Sequence, residues 1–259
     1  MQFKKYLFLV LSLLSSSSRA NNNCYKFYIG GDLGIGQFAI NSVHDWNIDS
    51  QVLFFEEKDM ADWCLANSSP VFLGGGRVGL AYDASECWYL AIEGNIHIAN
   101  KNMSFFNGFF TRSLGEYDNT VIRFADKTKF IAGVNAHLGF KFCEENVALY
   151  VLGGYKYLKR DYFTLISFKS SSEGVDTFNQ NFCGNFKNNG WTLGLGTSVN
   201  VACNCDFRLE GAYAGFSSKC FKKEFTEGLP DSLQFDKVSI SAKSNAKLVY
   251  GLASLAYNF

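Results

Sequence analysis

Eight stretches of the chain alternate between apolar and small or polar residues with a period of two, the pattern of strands whose two faces meet different surroundings. They cover about residues 25–40, 71–83, 88–100, 128–142, 147–161, 190–202, 206–217 and 247–259. The third is the clearest: Leu90, Ile92, Gly94, Ile96 and Ile98 share one face, while Ala91, Glu93, Asn95, His97 and Ala99 share the other. The fourth repeats it, with Phe130, Ala132, Val134, Ala136, Leu138 and Phe140 set against Ile131, Gly133, Asn135, His137, Gly139 and Lys141.

Alternation alone would also suit a soluble sandwich, so the connections decide. The links 84–87, 143–146 and 203–205 are short, whereas 41–70, 101–127, 162–189 and 218–246 are each about thirty residues. Connections in compact soluble domains usually run about 4 to 6 residues. A strict alternation of tight turns and long loops is instead the pattern of outer-membrane barrels, with the turns in the periplasm and the loops outside. The expected fold is all-β: an eight-stranded antiparallel transmembrane up-and-down β-barrel with four long extracellular loops, both termini lying in the periplasm.

Composition agrees. Phe (26), Tyr (13) and Gly (24) are abundant and Pro is nearly absent at 2, a mix suited to strands. Beyond the N-terminus no stretch approaches the roughly 20 apolar residues of a membrane-spanning helix, so membrane residence has to be by strands. The N-terminus itself reads as a secretory signal peptide over residues 1–20. Lys4 and Lys5 form its charged start, 6–14 its apolar core, and Ser18-Arg19-Ala20 its cleavage site. Residues 21–259 then form one barrel domain. Removing Lys4, Lys5 and Arg19 leaves 21 basic against 24 acidic residues, a net charge of −3 that gives no support to nucleic-acid binding.

The chain ends on Phe259, with Tyr257, Leu255, Ala253, Gly251 and Val249 alternating back from it on one face. It opens with Phe27-Tyr28-Ile29-Gly30-Gly31-Asp32-Leu33-Gly34, and the second segment carries Gly74-Gly75-Gly76-Arg77-Val78-Gly79. In these features the sequence resembles small bacterial outer-membrane β-barrels of the OmpA/OmpX and opacity-protein type, a group often labelled porins. The resemblance implies residence in the bacterial outer membrane, surrounded by its lipid. It also implies that Phe259, Tyr257 and Leu255 form the signal read by the barrel-assembly machinery. Because the chain stops at its last strand, no C-terminal peptidoglycan-binding domain of the OmpA kind is expected.

The alternation points Asp32, Arg77, Glu93, Asn95, Asn135, His137, Lys141, Lys156, Arg208 and Glu210 inward. Arg or Lys facing lipid at mid-depth would cost roughly 2–4 kcal/mol, so these belong to the lumen. A hairpin at 84–87 sets Arg77 opposite Glu93, with Asn95 nearby and Asp32 approaching from the first strand; one at 203–205 opposes Ser198 to Glu210 and Asn200 to Arg208. An ion-pair network centred on Arg77 and Glu93 is therefore expected. The interior of an eight-stranded barrel is just wide enough for its own side chains, and water-filled channels generally need about 16 to 18 strands. A lumen plugged by polar side chains is the first reading, and a low-conductance porin for small solutes the second. The glycine run 74–79 lacks the Lys-Ser/Thr ending of a phosphate loop and heads into a strand.

Three histidines, His44, His97 and His137, give no pair at ligand spacing, so neither a metal nor a cofactor is expected. Lipid-modifying barrels need Ser and His in a lipid-accessible cleft; with His97 and His137 pointing inward, no catalytic residue is assigned and the chain is not read as an enzyme. Of eight cysteines, Cys24, Cys87, Cys143, Cys203 and Cys205 fall on the periplasmic side and Cys64, Cys183 and Cys220 in the outer loops. Export permits disulfides. Both sets are odd, so pairing within one barrel leaves at least one cysteine on each side: either some link neighbouring envelope proteins or several turn cysteines stay free, and adjacent turns about 10 Å apart exceed the roughly 7 Å Cα limit of a disulfide within the barrel. The loops carry exposed-looking aromatic and polar runs, Phe105-Phe106-Asn107-Gly108-Phe109-Phe110 and 167–172 among them. External loops on a rigid scaffold are where binding resides, and a host-surface ligand is the expected partner class. The whole reads as an envelope-structural or adhesin-like surface protein.

Overall fold

The computed structural model describes residues 25–50, 63–110, 119–142, 146–169, 178–225 and 235–259. They form eight strands: β1 Tyr25–Ser50, β2 Trp63–Asp83, β3 Trp88–Phe110, β4 Asn119–Lys141, β5 Val147–Lys169, β6 Phe178–Ala202, β7 Cys205–Phe225 and β8 Phe235–Asn258. Each pairs antiparallel with its neighbours in sequence, and β8 returns to β1 to close the barrel. Among the described residues no helix is long and apolar enough to cross a membrane.

Closure has a measurable stagger. Ile29 pairs with Val78, and the line continues through Gly94, Val134, Tyr155, Trp191, Gly215 and Lys247 to Ala39, back on β1. One circuit thus climbs from 29 to 39, a shear of ten residues. With eight strands this tilts them by roughly 45° and leaves an interior filled by side chains.

The two faces differ as the alternation requires. Leu33, Ile35, Phe72, Ile92, Ile96, Leu193, Leu195, Leu209 and Leu255 point out of the wall and are exposed, Phe72 to 82%. Aromatic pairs edge this apolar surface on both sides. Tyr25–Tyr82, Phe27–Phe259, Trp88–Phe140 and Tyr257–Phe259 lie at the turn end, with ring centroids 4.8–5.7 Å apart. Phe130–Tyr157 and Trp191–Tyr213 lie at the other edge. An apolar band about 25 Å tall between two aromatic girdles is the lipid-facing surface of an outer-membrane barrel. Directly beyond the second girdle the outward positions become charged: Lys127, Lys129, Lys159, Lys187 and Lys247.

Two expectations need correction. First, the long connections are largely strand: β1 runs on to Ser50, β2 begins at Trp63, and the other strands are extended similarly, to lengths of 21–26 residues. Crossing hydrocarbon needs only about 9–11 residues. Beyond the headgroups neither face is forced to be apolar, so the alternation fades while the ladder of backbone hydrogen bonds continues. Segments 51–62, 111–118, 170–177 and 226–234 lie outside the described residues, as do 1–20, Cys24 and Cys143.

Second, the hairpin registers are each displaced by two residues. Arg77 pairs with Asn95, and it is Gly79 that faces Glu93. Ser198 pairs with Arg208 and Asn200 with Asp206. In the first hairpin the N–H groups of Ala84 and Ser85 both donate to the carbonyl of Trp88, so the turn takes up more chain than a minimal link. In the third, a two-residue turn at Cys203-Asn204 is followed by a bulge between Asn200 and Ala202. Both shifts are even, so every side chain keeps its face.

Candidate functional site

The lumen is stratified, and its deepest polar layer is organised by one arginine. Arg77 on β2 donates through Nε to Asp32 Oδ1 of β1 at 2.5 Å, through one terminal nitrogen to Glu93 Oε2 of β3 at 3.1 Å and Glu210 Oε1 of β7 at 2.5 Å, and through the other to Glu210 Oε2 at 3.2 Å. All four side chains are essentially sealed from solvent. A buried charge is tolerated only when paired and hydrogen-bonded, and here one guanidinium serves three carboxylates from three other strands.

Further groups fill the remaining lone pairs. Tyr28 donates to Glu93 Oε2 at 3.1 Å, Asn95 to Glu93 Oε1 at 3.2 Å, and Tyr150 to Glu210 Oε1 at 2.8 Å. His97 Nε2 lies 2.9 Å from Asp32 Oδ2. Lys156 reaches the layer through Asn95, donating to Oδ1 at 2.6 Å. Arg208 stacks over the Tyr28 ring at 4.0 Å with a nitrogen 3.5 Å from Glu93, and His137 stacks on Tyr150 at 5.1 Å. Three carboxylates thus meet two guanidinium groups, Arg77 and Arg208, with the Lys156 amine joined to them through Asn95. Glycine makes room for the rings: a Cβ on Gly79 would run into Tyr28, and one on Gly196 into Tyr150.

The structure brings Asp32, Arg77, Glu93, Asn95, Lys156, Arg208 and Glu210 into one network. It adds His97, Tyr28 and Tyr150, which face the same lumen. Asn135 and His137 are buried beside it, with Asn135 Oδ1 and His137 Nε2 lacking a hydrogen-bond partner. Lys141 stands apart, paired with Asp83 at the periplasmic mouth, where Lys26 also reaches Asp83 at 3.3 Å. Potential metal-binding atoms of Glu93, His137 and Glu210 come within 4.8 Å of one another. Sequence spacing concealed this, because the three belong to β3, β4 and β7. Both carboxylates are already engaged by Arg77, so a cation there would compete with the guanidinium.

Above this layer the inward positions turn apolar. Phe38 pairs with Leu248 and Ile131 with Leu158, and with Val71, Leu73 and Phe216 they form a buried cluster across the bore. Higher still is a second polar layer. Arg160, wholly buried, donates to Asp126 Oδ2 at 2.8 Å, Asn188 Oδ1 at 3.1 Å and Ser244 Oγ at 3.2 Å, beneath Phe186, Tyr162 and Phe221. On β5 the order is direct: Lys156, Leu158, Arg160. Arg160 falls on the inward phase of its strand, but its partners sit in segments read from sequence as loops.

Cys183 and Cys220 are exposed on the outer half of the wall and Cys203 is exposed at the β6–β7 turn, with Cys205 half-buried beside it; all four are free thiols. Cys64 lies on β2 opposite Val43.

A closed eight-stranded wall, apolar outside, girdled by aromatics and filled with ion pairs, defines a bacterial outer-membrane barrel. The chain belongs to the outer membrane protein beta-barrel domain family, whose model matches residues 6–243. Among solved structures it is similar to the attachment invasion locus protein Ail of Yersinia pestis, at 14% identity and a TM-score of 0.30, covering 85% of this chain and 98% of that one. It is also similar to the outer membrane protease OmpT from Escherichia coli, at 10% identity and a TM-score of 0.43, covering 90% and 97%. A third is the outer membrane protein OprG from Pseudomonas aeruginosa, at 12% identity and a TM-score of 0.32, covering 89% and 96%. Comparison with curated protein sequences gives no match.

Replacing Arg77 by Met leaves three buried carboxylates without their shared cation and is expected to cost about 3–5 kcal/mol. Urea unfolding of the folded barrel in vesicles measures this, and adding Glu210→Gln should recover part of the loss, since the two sites are coupled. A loss below about 1 kcal/mol would mean that Arg77 is not the organising charge.

Proposed function

We propose that this protein is a closed envelope barrel, a structural element of the outer membrane that carries its extracellular rim as a surface for interaction. The observation that supports this reading is the apolar septum of Phe38, Val71, Leu73, Ile131, Leu158, Phe216 and Leu248 between two ion-paired layers. Moving a hydrated ion through a dry, close-packed segment strips its water with no polar group in exchange. The lower network is therefore not the element that blocks conduction. In planar bilayers the wild-type barrel and Arg77→Met should both give no steady single-channel conductance. Reproducible conductance steps from the wild type would replace this reading with the low-conductance porin.

No enzymatic role is proposed. A groove of about 690 Å³ opens on the outer wall, lined by Leu33, Ile35, Phe72, Leu209 and Ala253 among others. Neither serine nor histidine contributes to that lining, and the Asp32–His97 pair lies on the other side of the wall. The groove fits a lipid acyl chain.

The surface role follows from the strand extensions. They form a hydrogen-bonded stalk that continues beyond the lipid-facing band, and rigid scaffolds with variable tips are where binding resides. Replacing segments 51–62, 111–118, 170–177 and 226–234 one at a time by short Gly-Ser links should leave folding intact, and at least one replacement should abolish adhesion of barrel-bearing bacteria to host cells. Unchanged adhesion in all four would remove the surface role.

A further inference from the structure

The lysines just above the outer aromatic girdle are arranged in a way the barrel itself does not explain. On three neighbouring strands an aromatic of the outer girdle is followed outward by a lysine: Phe130 then Lys129 on β4, Tyr157 then Lys159 on β5, and Trp191 then, two outward positions on, Lys187 on β6. Lys127 is the next outward position on β4. Lys159 and Lys187 are direct cross-strand partners, and both point away from the barrel. Like charges placed directly opposite each other on one sheet face repel, and the cost grows beside a low-dielectric hydrocarbon boundary.

Little within the wall offsets this. Asp161 is the single carboxylate among these outward positions; it faces Lys127 across the strand pair and binds Lys129 at 2.5 Å. Lys159 rests over the Phe130 ring at 5.9 Å. Among the described residues neither Lys159 nor Lys187 pairs with a carboxylate. Four lysines against one aspartate leave three uncompensated positive charges. They sit at the height where the headgroups of the outer leaflet begin, since the aromatic girdle marks the end of the hydrocarbon.

We infer that the β4–β6 wall binds the phosphate groups of an anionic outer-leaflet lipid, with Lys159 and Lys187 as a two-pronged clamp and Lys127 and Lys129 flanking it. An ammonium pair spaced by one strand separation, about 4.8 Å, can share one phosphate between them. The apolar wall below, Tyr155, Tyr157, Trp191 and Leu193, takes the acyl chains of the same lipid. The clamp therefore selects a molecule that is both phosphorylated and lipidic, and fixes the barrel's depth and rotation within the leaflet.

The test uses the full folded barrel in phosphatidylcholine vesicles with and without a minor fraction of phosphorylated lipid A, reading the thermal unfolding transition and the lipid A retained after extraction into neutral detergent. Wild type should unfold at a higher temperature when lipid A is present, lose that shift at high salt, and retain lipid A on extraction. Lys159→Glu converts the like-charge pair into an opposite-charge pair. In pure phosphatidylcholine it should unfold no earlier than wild type, while its lipid A retention falls on the order of ten-fold, since each basic group beside an anionic surface contributes roughly a five-fold gain in affinity. Lys187→Gln should lower retention without changing the transition in pure phosphatidylcholine. An equal lowering of the transition in both bilayers by Lys159→Glu would make the lysine structural and overturn the inference. So would a wild-type transition indifferent to lipid A, or one raised equally by inorganic phosphate in pure phosphatidylcholine.

Discussion

In hydrocarbon no water is available to satisfy a backbone N–H or C=O, and a sheet can meet that condition only by closing on itself. Everything else in this protein follows from that closure. Eight strands with a shear of ten give a continuous ladder from β1 round to β8 and back, leaving no edge within the membrane. The same numbers fix the bore. A ring this narrow encloses side chains instead of solvent, so each inward position must be filled and each inward charge must find a partner inside the wall.

Those demands are met layer by layer. Near the periplasmic end Arg77 gathers Asp32, Glu93 and Glu210 from three strands, which ties distant parts of the sheet together through one side chain. Above it the apolar septum supplies packing without polar obligations, and Arg160 with Asp126, Asn188 and Ser244 repeats the polar arrangement higher up. On the outside the order is simpler, an apolar band, an aromatic edge and then lysines. Inside and outside are read from the same residues, one phase apart. A bore sealed in this way turns the functional question outward, to the stalk, the rim and the lipids around the wall.

The face of each residue was legible in the sequence because lipid and lumen impose opposite demands on successive positions. Leu90 through Ala99 is the clearest case, and the inward placement of Asp32, Arg77, Glu93, Lys156, Arg208 and Glu210 needed nothing but parity. Partnership between neighbouring strands was legible too, as for Arg77 with Asp32 and Glu93, but partnership across the bore was not. That Arg77 holds Glu210, 133 residues away, depends on the shear of the closed barrel and not on local spacing. The register of two hairpins was displaced by the length of the turn, longer than expected in the first and shorter, with a bulge beside it, in the third, a detail that alternation cannot report, since a shift of two preserves every face. The outer halves of the strands were hidden for a related reason: where both faces leave hydrocarbon, hydrogen bonding persists without a hydrophobic signature. The partners of Arg160, namely Asp126, Asn188 and Ser244, were lost with them.

The measurement that bears most directly on closure and on the two-faced wall is a spin-label scan along β3, one residue at a time from Leu90 to Ala99, in lipid vesicles. Contact with dissolved oxygen, which concentrates in hydrocarbon, should rise at Leu90, Ile92, Ile96 and Ile98 and fall at Ala91, Glu93, Asn95 and His97. A flat profile, a period near 3.6, or water accessibility at the Leu90–Ile98 face would contradict the account.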